Sequence, residues 1–131
     1  MFKTGDREAA VALTQKLLAE SPPPNDIDLT LTYAQYLYEH GEMDKAMAQA
    51  RAATEFAPQH PIAWFWMARL LLQNGDLRQA AQAAEQSVAL GPQLPYARNL
   101  LVRIYRLEGR TDDAERQAEW VKSFEARKAA Q

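Results

Sequence analysis

The chain has 131 residues, the length of one domain, and it is 47% hydrophobic and 24% charged, which is too apolar for a disordered segment. Its formal net charge of −2 provides no overall field that would attract nucleic acid or an anionic membrane. It contains no cysteine, which excludes disulfides, a thiol nucleophile and a zinc–thiolate site.

An internal repeat with a constant period is the main feature of the sequence. Gly41, Gly75 and Gly109 follow one another at the same interval (75 − 41 = 109 − 75 = 34), and an alanine stands five residues after each of them. Prolines at 22, 58 and 92 stand twelve residues after the alanines at 10, 46 and 80. A period of this length, kept by three residue types, predicts a stacked array of helix–turn–helix units.

The start of the chain, positions 1–26, departs from the repeat. Residues 6–21 have the pattern of a second helix without its partner, and the proline-rich linker 22–26 follows them. Asp26 is a plausible N-cap for the next helix. Two interpretations stay open: residues 1–26 form an N-terminal capping helix with its linker, or the domain is cut from a longer array with Met1 added.

Three full repeats follow, at 27–60, 61–94 and 95–128. The first helices are predicted to begin near Ile27, Pro61 and Pro95 and to end at the repeat glycines, since glycine adopts the left-handed conformation that ends a helix. Second helices are predicted to run to about Ala57 and Leu90, and the unstopped last helix from Thr111 to about Lys128. Asp76 is predicted as an N-cap.

Small and large residues alternate in a way that suits packed helices. Alanines seven residues before and five residues after a repeat glycine let paired helices approach closely. Phe56, Leu90 and Phe124 share one register near the ends of the second helices and are predicted to be core. Trp120 stands in the register of Ala52 and Gln86. Trp120 either shields the first helix of the third repeat, which begins near Pro95, or forms a contact patch.

These residues resemble the tetratricopeptide repeat family. The motif is carried best by the second repeat, in the positions of Trp64, Ala68, Gly75, Ala80 and Pro92. The third repeat has Arg98 and Val102 in place of Trp64 and Ala68 and lacks the closing proline. The resemblance implies an all-α fold, a right-handed α-solenoid of helix–turn–helix repeats, whose first helices line a concave groove that takes a peptide or helix of a partner.

The resemblance also implies which residues line that groove. They combine aromatic side chains with three arginines, although the whole chain is negatively charged. A guanidinium beside an aromatic ring suits a ligand with carboxylates and an apolar anchor. The competing interpretations are that the arginines are solvated or ion-paired and that Phe65 and Trp66 are ordinary core. The groove positions carried over also include Asp28, Leu31, Ile62 and Leu72, and the residues predicted to bind the ligand are Gln35, Tyr38, Phe65, Trp66, Arg69, Tyr96, Asn99, Arg103 and Arg106.

No catalytic or metal-binding pattern is present in the sequence. His40 and His60 each stand beside a turn, without carboxylates at ligand spacing. No glycine-rich phosphate loop occurs, and no hydroxyl has a histidine base near it in the pattern. We therefore expect no enzyme activity, no cofactor and no metal.

Two functions follow as hypotheses. The first is a protein-interaction scaffold that binds an acidic, partly apolar peptide or amphipathic helix. The second is an assembly or self-association segment of a larger protein, with a homo-oligomer formed through the terminal helices. Nucleic-acid binding and membrane insertion are not expected, and the chain is predicted to be soluble, in the cytoplasm or periplasm.

Overall fold

The computed structural model describes Ala12 and residues 27–130, and six α-helices make up the segment 27–130. Contacts divide the chain into two compact units, Met1–Pro58 and Gln59–Gln131. Apart from Ala12, the leading half repeat lies outside the described residues, and so does Asp26, the predicted N-cap of the helix that begins at Ile27. The helices are α1 (Ile27–Glu39), α2 (Met43–Phe56), α3 (Pro61–Gln73), α4 (Leu77–Leu90), α5 (Pro95–Leu107) and α6 (Thr111–Ala129).

Consecutive helices pack as hairpins. In the first unit α1 packs against α2, and in the second unit α3 packs against α4 and α5 against α6. The two hairpins of the second unit are joined because α4 also packs against α5, and α3 touches α5. The two first helices of this unit, α3 and α5, are therefore neighbours.

The turn inside each hairpin is built around a glycine with positive φ. Gly41, Gly75 and Gly109 have φ values of +77°, +87° and +77°. At the second of them the glycine N–H donates to Leu72 O at 3.1 Å and the following Asp76 N–H to Leu71 O at 2.9 Å. The other two turns repeat both bonds. This is the Schellman motif, and it confirms that the first helices end at the repeat glycines.

The helices begin where the sequence predicted, but the side chains that cap them differ from the prediction. Pro61 and Pro95 occupy the first turns of α3 and α5, as predicted. Asp76 does hold the N-cap position of α4, but its carboxylate accepts a bond from Asn74 Nδ2 at 2.9 Å and none from the helix backbone. Its ψ of 69° differs from the extended backbone usual at an N-cap. His60, which stands beside a turn in the sequence pattern, caps α3 by accepting the Ala63 N–H at 3.3 Å.

Alanine provides the close approach between the helices of the hairpins α1–α2 and α3–α4. Ala34, Ala46, Ala68 and Ala80 are all fully buried. A buried hydroxyl adds a specific link between α4 and α3, since Ser87 Oγ donates to Pro61 O at 2.7 Å. Helices that meet through methyl groups can pack at short distance, and this explains the alanine register of the repeat.

The prediction that Phe56, Leu90 and Phe124 are core is wrong for Phe56, which is 54% exposed. Leu90 and Phe124 are half-buried and do not belong to the fully buried core. Phe56 is the last residue of α2, and a side chain at a helix end is covered on fewer sides than one in the middle.

No helix in the described part of the chain is both long and apolar enough to span a bilayer.

Candidate binding surface

The predicted groove residues of the second unit lie on two neighbouring helices. Phe65, Trp66 and Arg69 lie on α3, and Tyr96, Asn99, Arg103 and Arg106 lie on α5. We call these seven residues the first-helix face. The other two predicted groove residues, Gln35 and Tyr38, lie on α1 in the first unit.

Three aromatic rings form the centre of the first-helix face. Phe65 on α3 meets Tyr96 on α5 edge to face, with ring centroids 4.8 Å apart and planes at 74°. The rings of Phe65 and Trp66 also pack edge to face, at 5.9 Å and 76°. All three side chains are half-buried. They are therefore packed against each other and still present part of their surface to solvent.

The three arginines of the face differ in how they are held. The guanidinium of Arg69 lies 5.0 Å from the centroid of the Trp66 ring, in cation–π geometry. Arg103 and Arg106 are exposed, and neither forms a hydrogen bond or ion pair with the described residues. Among the described residues, therefore, no carboxylate forms an ion pair with any of the three arginines.

Charge is segregated between the two helix layers of the second unit. Helices α3 and α5 contain no aspartate or glutamate, and their only charged residues are arginines. The carboxylates of this unit lie in the turns and on the second helices α4 and α6. The first-helix face is thus a cationic and aromatic surface in a chain with a net charge of −2.

The hydroxyl of Tyr96 is an unusual feature of this face. Its oxygen is inaccessible to solvent and has no hydrogen-bond partner among the described residues. Burial raises the pKa of the Tyr96 phenol above its ordinary value, so the group keeps its proton. A buried hydroxyl without a partner costs about 1–3 kcal/mol.

The first unit presents different chemistry on its first helix. Gln35 is exposed and donates from Nε2 to Glu39 Oε1 at 3.3 Å, and Tyr38 is half-buried. Helix α1 has acidic residues, Asp28 and Glu39, and no basic one. A surface on this helix therefore differs in charge from the first-helix face.

Trp120 lies against α5 through an arginine that the sequence analysis noted only as a departure from the motif. The Arg98 guanidinium is 4.0 Å from the Trp120 ring centroid. It also donates to Pro92 O from Nε and Nη2, at 3.2 and 3.1 Å, and to Gln117 Oε1 from Nη1 at 3.0 Å. Burial lowers the pKa of Arg98 below its ordinary value. Trp120 in turn stacks on Phe124, with centroids 5.2 Å apart.

A second polar cluster, which the sequence did not reveal, surrounds Arg110. This residue donates to Asp113 Oδ2 at 2.9 Å and lies 3.6 Å from Glu108 and 3.9 Å from Glu85. Its guanidinium covers the ring of Tyr105 at 4.2 Å. The hydrogen bond from Arg110 helps to hold the pKa of the Asp113 carboxyl below its ordinary value. Glu85 lies on α4, Tyr105 on α5 and Asp113 on α6, so the cluster links these three helices.

Helical hairpins repeated at a constant interval define the class of this protein as a helical-repeat scaffold fold. A family model described as anaphase-promoting complex, cyclosome, subunit 3 matches residues 3–87, and one described as tetratricopeptide repeat matches residues 65–119. Both describe tetratricopeptide repeats. The chain belongs to the tetratricopeptide repeat family.

Solved structures of MamA have the same fold. A crystal structure of MamA superposes with a TM-score of 0.79 at 17% identity, covering 95% of this chain and 75% of that one. MamA 41-end from Desulfovibrio magneticus RS-1 gives 0.80 at 19%, covering 93% and 68%. A MamA RS-1 ArsTM double mutant gives 0.84 at 18%, covering 97% and 70%. No curated protein has significant sequence similarity to the chain. The predicted fold class, an all-α solenoid of helix–turn–helix repeats, is confirmed.

Proposed function

We propose that this chain is a non-catalytic scaffold whose first-helix face binds an acidic, partly apolar peptide or amphipathic helix of a partner protein. Family membership supports the general role, since tetratricopeptide repeat proteins are protein-interaction scaffolds. The specific site and ligand chemistry rest on the residues of α3 and α5.

One observation carries the proposal: arginines and aromatic rings share a surface that has no carboxylate. Arg69 is held over Trp66, Phe65 meets Tyr96, and Arg103 and Arg106 project without a partner in the described chain. An arginine already held by an aromatic ring loses less side-chain entropy on binding than a free one. The surface is therefore suited to carboxylates.

The aromatic rings supply the apolar part of the contact. Aromatic and arginine side chains contribute most of the energy in protein interfaces, while surrounding residues mainly exclude water. Half-buried rings such as Phe65 and Trp66 have fixed positions and still offer surface to a ligand. A helix with leucine or phenylalanine on one face and glutamate beside it would satisfy both parts of the site.

Fluorescence titration with a labelled amphipathic peptide tests this proposal. The probe is an eighteen-residue helix with a leucine face flanked by glutamates, and a second peptide has glutamine at every glutamate. The test variant combines Arg69→Gln, Arg103→Gln and Arg106→Gln. The control variant combines Arg51→Gln and Arg78→Gln, which removes exposed arginines from the second helices α2 and α4.

Binding of the acidic peptide is expected to weaken at least about tenfold in the test variant and less than about twofold in the control, because charged hydrogen bonds contribute about 1.5–3 kcal/mol each. Added salt is expected to weaken the wild-type complex. Equal affinities of the wild type and the test variant would show that the arginines of this face do not hold the ligand.

A further inference from the structure

A second surface of the same unit has the features of a binding pocket. A cavity of about 410 Å³ opens between the loop that joins α4 to α5 and the end of α6. Its lining consists of Gln93, Phe124, Arg127 and Lys128. This volume lies within the range of small-ligand sites, about 300–1,000 Å³. The cavity does not share a residue with the first-helix face.

The walls of the cavity are fixed by one arginine. Arg98 holds the loop through its two hydrogen bonds to Pro92 O, next to Gln93. The same guanidinium lies under Trp120, whose ring stacks on Phe124 at 5.2 Å with planes 11° apart. A continuous set of contacts therefore runs from the loop to the aromatic wall. Packing therefore holds the half-buried Phe124 and the loop backbone, whereas the side chains of Gln93, Arg127 and Lys128 are exposed.

The polar rim of the cavity is cationic. Among the described residues, Arg127 and Lys128 are the charged ones that line the cavity, and neither forms an ion pair with a carboxylate there. Arg127 donates only to the backbone oxygen of Ser123, at 3.4 Å. The negative end of the helix dipole explains why basic residues are favourable in the last turn of α6. It does not account for an aromatic wall between them and the loop.

We infer that this cavity is a docking site for an acidic segment of a partner protein that carries an apolar side chain. Phe124 would take the apolar side chain, and Arg127 and Lys128 would pair with the flanking carboxylates, one by a forked and one by a single-point contact. Charge complementarity selects this occupant, because the described lining residues offer N–H donors and two positive charges, and none of them is negatively charged. Arg98 acts as a positioning residue that does not touch the ligand.

The test uses a short probe that is too small to form an amphipathic helix. It is an acetylated and amidated hexapeptide of alternating glutamate and phenylalanine, and its matched control has glutamine in place of glutamate. The test variant combines Arg127→Gln and Lys128→Gln. The control variant combines Arg78→Gln and Lys122→Gln, which removes the same charge from exposed positions outside the cavity. Isothermal titration calorimetry on the full chain measures both peptides.

The acidic hexapeptide is expected to bind the wild type at least fivefold more tightly than the glutamine peptide. The test variant is expected to lose this preference and the control variant to keep it. Arg98→Gln is expected to weaken binding and to leave the salt dependence in place, since the charges that touch the peptide remain. The triple arginine variant of the first-helix face is expected to bind the hexapeptide as the wild type does.

Several results would overturn the inference. Equal weakening in both double variants would indicate a general charge effect, and loss of binding in the triple variant would place the hexapeptide on the first-helix face. Equal binding of both peptides, or no binding of either, would contradict the inference that the cavity recognises carboxylates. Sedimentation of the free chain provides the last check: a dimer dissociated by Arg127→Gln and Lys128→Gln would identify a second copy as the occupant instead. Loss of hexapeptide binding in the triple variant would also place an acidic ligand on α3 and α5, whereas the other results do not bear on binding of the longer helix to those two helices.

Discussion

The guanidinium of Arg98 and the indole ring of Trp120 lie 4.0 Å apart, and both residues depart from the repeat. One period earlier (98 − 34 and 120 − 34), their registers hold Trp64 and Gln86. The third repeat thus has its aromatic side chain on the second helix and its polar side chain on the first, the reverse of the second repeat. The two residues that depart from the pattern therefore form one contact between α5 and α6.

A double-mutant cycle is expected to detect this contact. Arg98→Ala should lower the free energy of unfolding by about 1–3 kcal/mol, because it removes three hydrogen bonds as well as the cation–π contact. Trp120→Ala should have an effect of similar size. The double variant should be less destabilised than the sum of the two by about 0.5–1 kcal/mol. Urea unfolding followed by circular dichroism measures all three values.

The matched control for this cycle is Arg103→Ala. Arg103 lies on the same helix but is exposed and has no partner in the described chain, so its removal should change the unfolding free energy by less than about 0.5 kcal/mol. Additive effects of Arg98→Ala and Trp120→Ala would mean that the guanidinium and the indole are close without being energetically coupled.

Gly75 provides a test of the turn chemistry. Its φ of +87° is strained for a residue with a side chain, and a Cβ there would meet no atom within 4 Å. Gly75→Ala should therefore lower the unfolding free energy by about 1–2 kcal/mol through the backbone alone. Gly75→Asn should cost less, because asparagine adopts the left-handed conformation more readily than alanine. Equal stability of the alanine variant and the wild type in thermal unfolding would contradict this account.

The sequence predicted the helix boundaries well because local backbone chemistry determines them. A glycine at positive φ ends a helix and a proline in the first turn begins one, wherever the rest of the chain lies. Pro61 and Gly75 therefore bound α3 close to the predicted places. The same reasoning could not supply the partner of Asp76, because Asn74 and the helix backbone compete for one carboxylate and only the local geometry decides between them.

The helices that carry the candidate-site residues were predictable from the sequence, but the contacts of those residues were not. Periodicity placed Arg98 in the register of Trp64 and Arg103 and Arg106 at groove positions of the same helix, but it did not predict that Arg98 contacts Trp120. The cluster of Arg110 with Glu85 joins residues on different repeats, so no short motif contains it. Contacts between repeats depend on side-chain rotamers across a helix interface, and a single sequence does not encode them in a readable spacing.

His60 is expected to stabilise α3 as its N-cap. His60→Ala removes the acceptor of the Ala63 N–H and should lower the unfolding free energy by about 0.5–1 kcal/mol. His60→Asn should restore the loss, because asparagine is a favoured N-cap residue with a shorter side chain. Gln59→Ala, at the preceding exposed position, serves as the control. Chemical denaturation compares the four proteins, and an alanine variant as stable as the asparagine variant would exclude a capping role.

The raised pKa of the Tyr105 phenol makes the free energy of unfolding of the second unit depend on pH in the alkaline range. Burial raises the pKa of the Tyr105 phenol from 10.0 to about 12, assisted by the negative charge of Glu85 and a hydrogen bond to its carboxylate. The unfolded chain therefore loses this proton at lower pH than the folded one. The stabilisation is complete below pH 10 and is lost as the pH rises through 12, by about 2–3 kcal/mol on full ionisation.

Tyr105→Phe isolates this contribution, because it keeps the ring under the Arg110 guanidinium and removes only the ionisable hydroxyl. The variant should be less stable than the wild type below pH 10, since the bond to Glu85 is gone, and the difference should shrink between pH 10 and 12. Urea unfolding at a series of pH values, with spectrophotometric titration of tyrosinate in the folded protein, measures both effects. Parallel pH profiles for the two proteins would mean that this hydroxyl titrates alike in the folded and unfolded states, and the Glu85 contact would then have no electrostatic consequence.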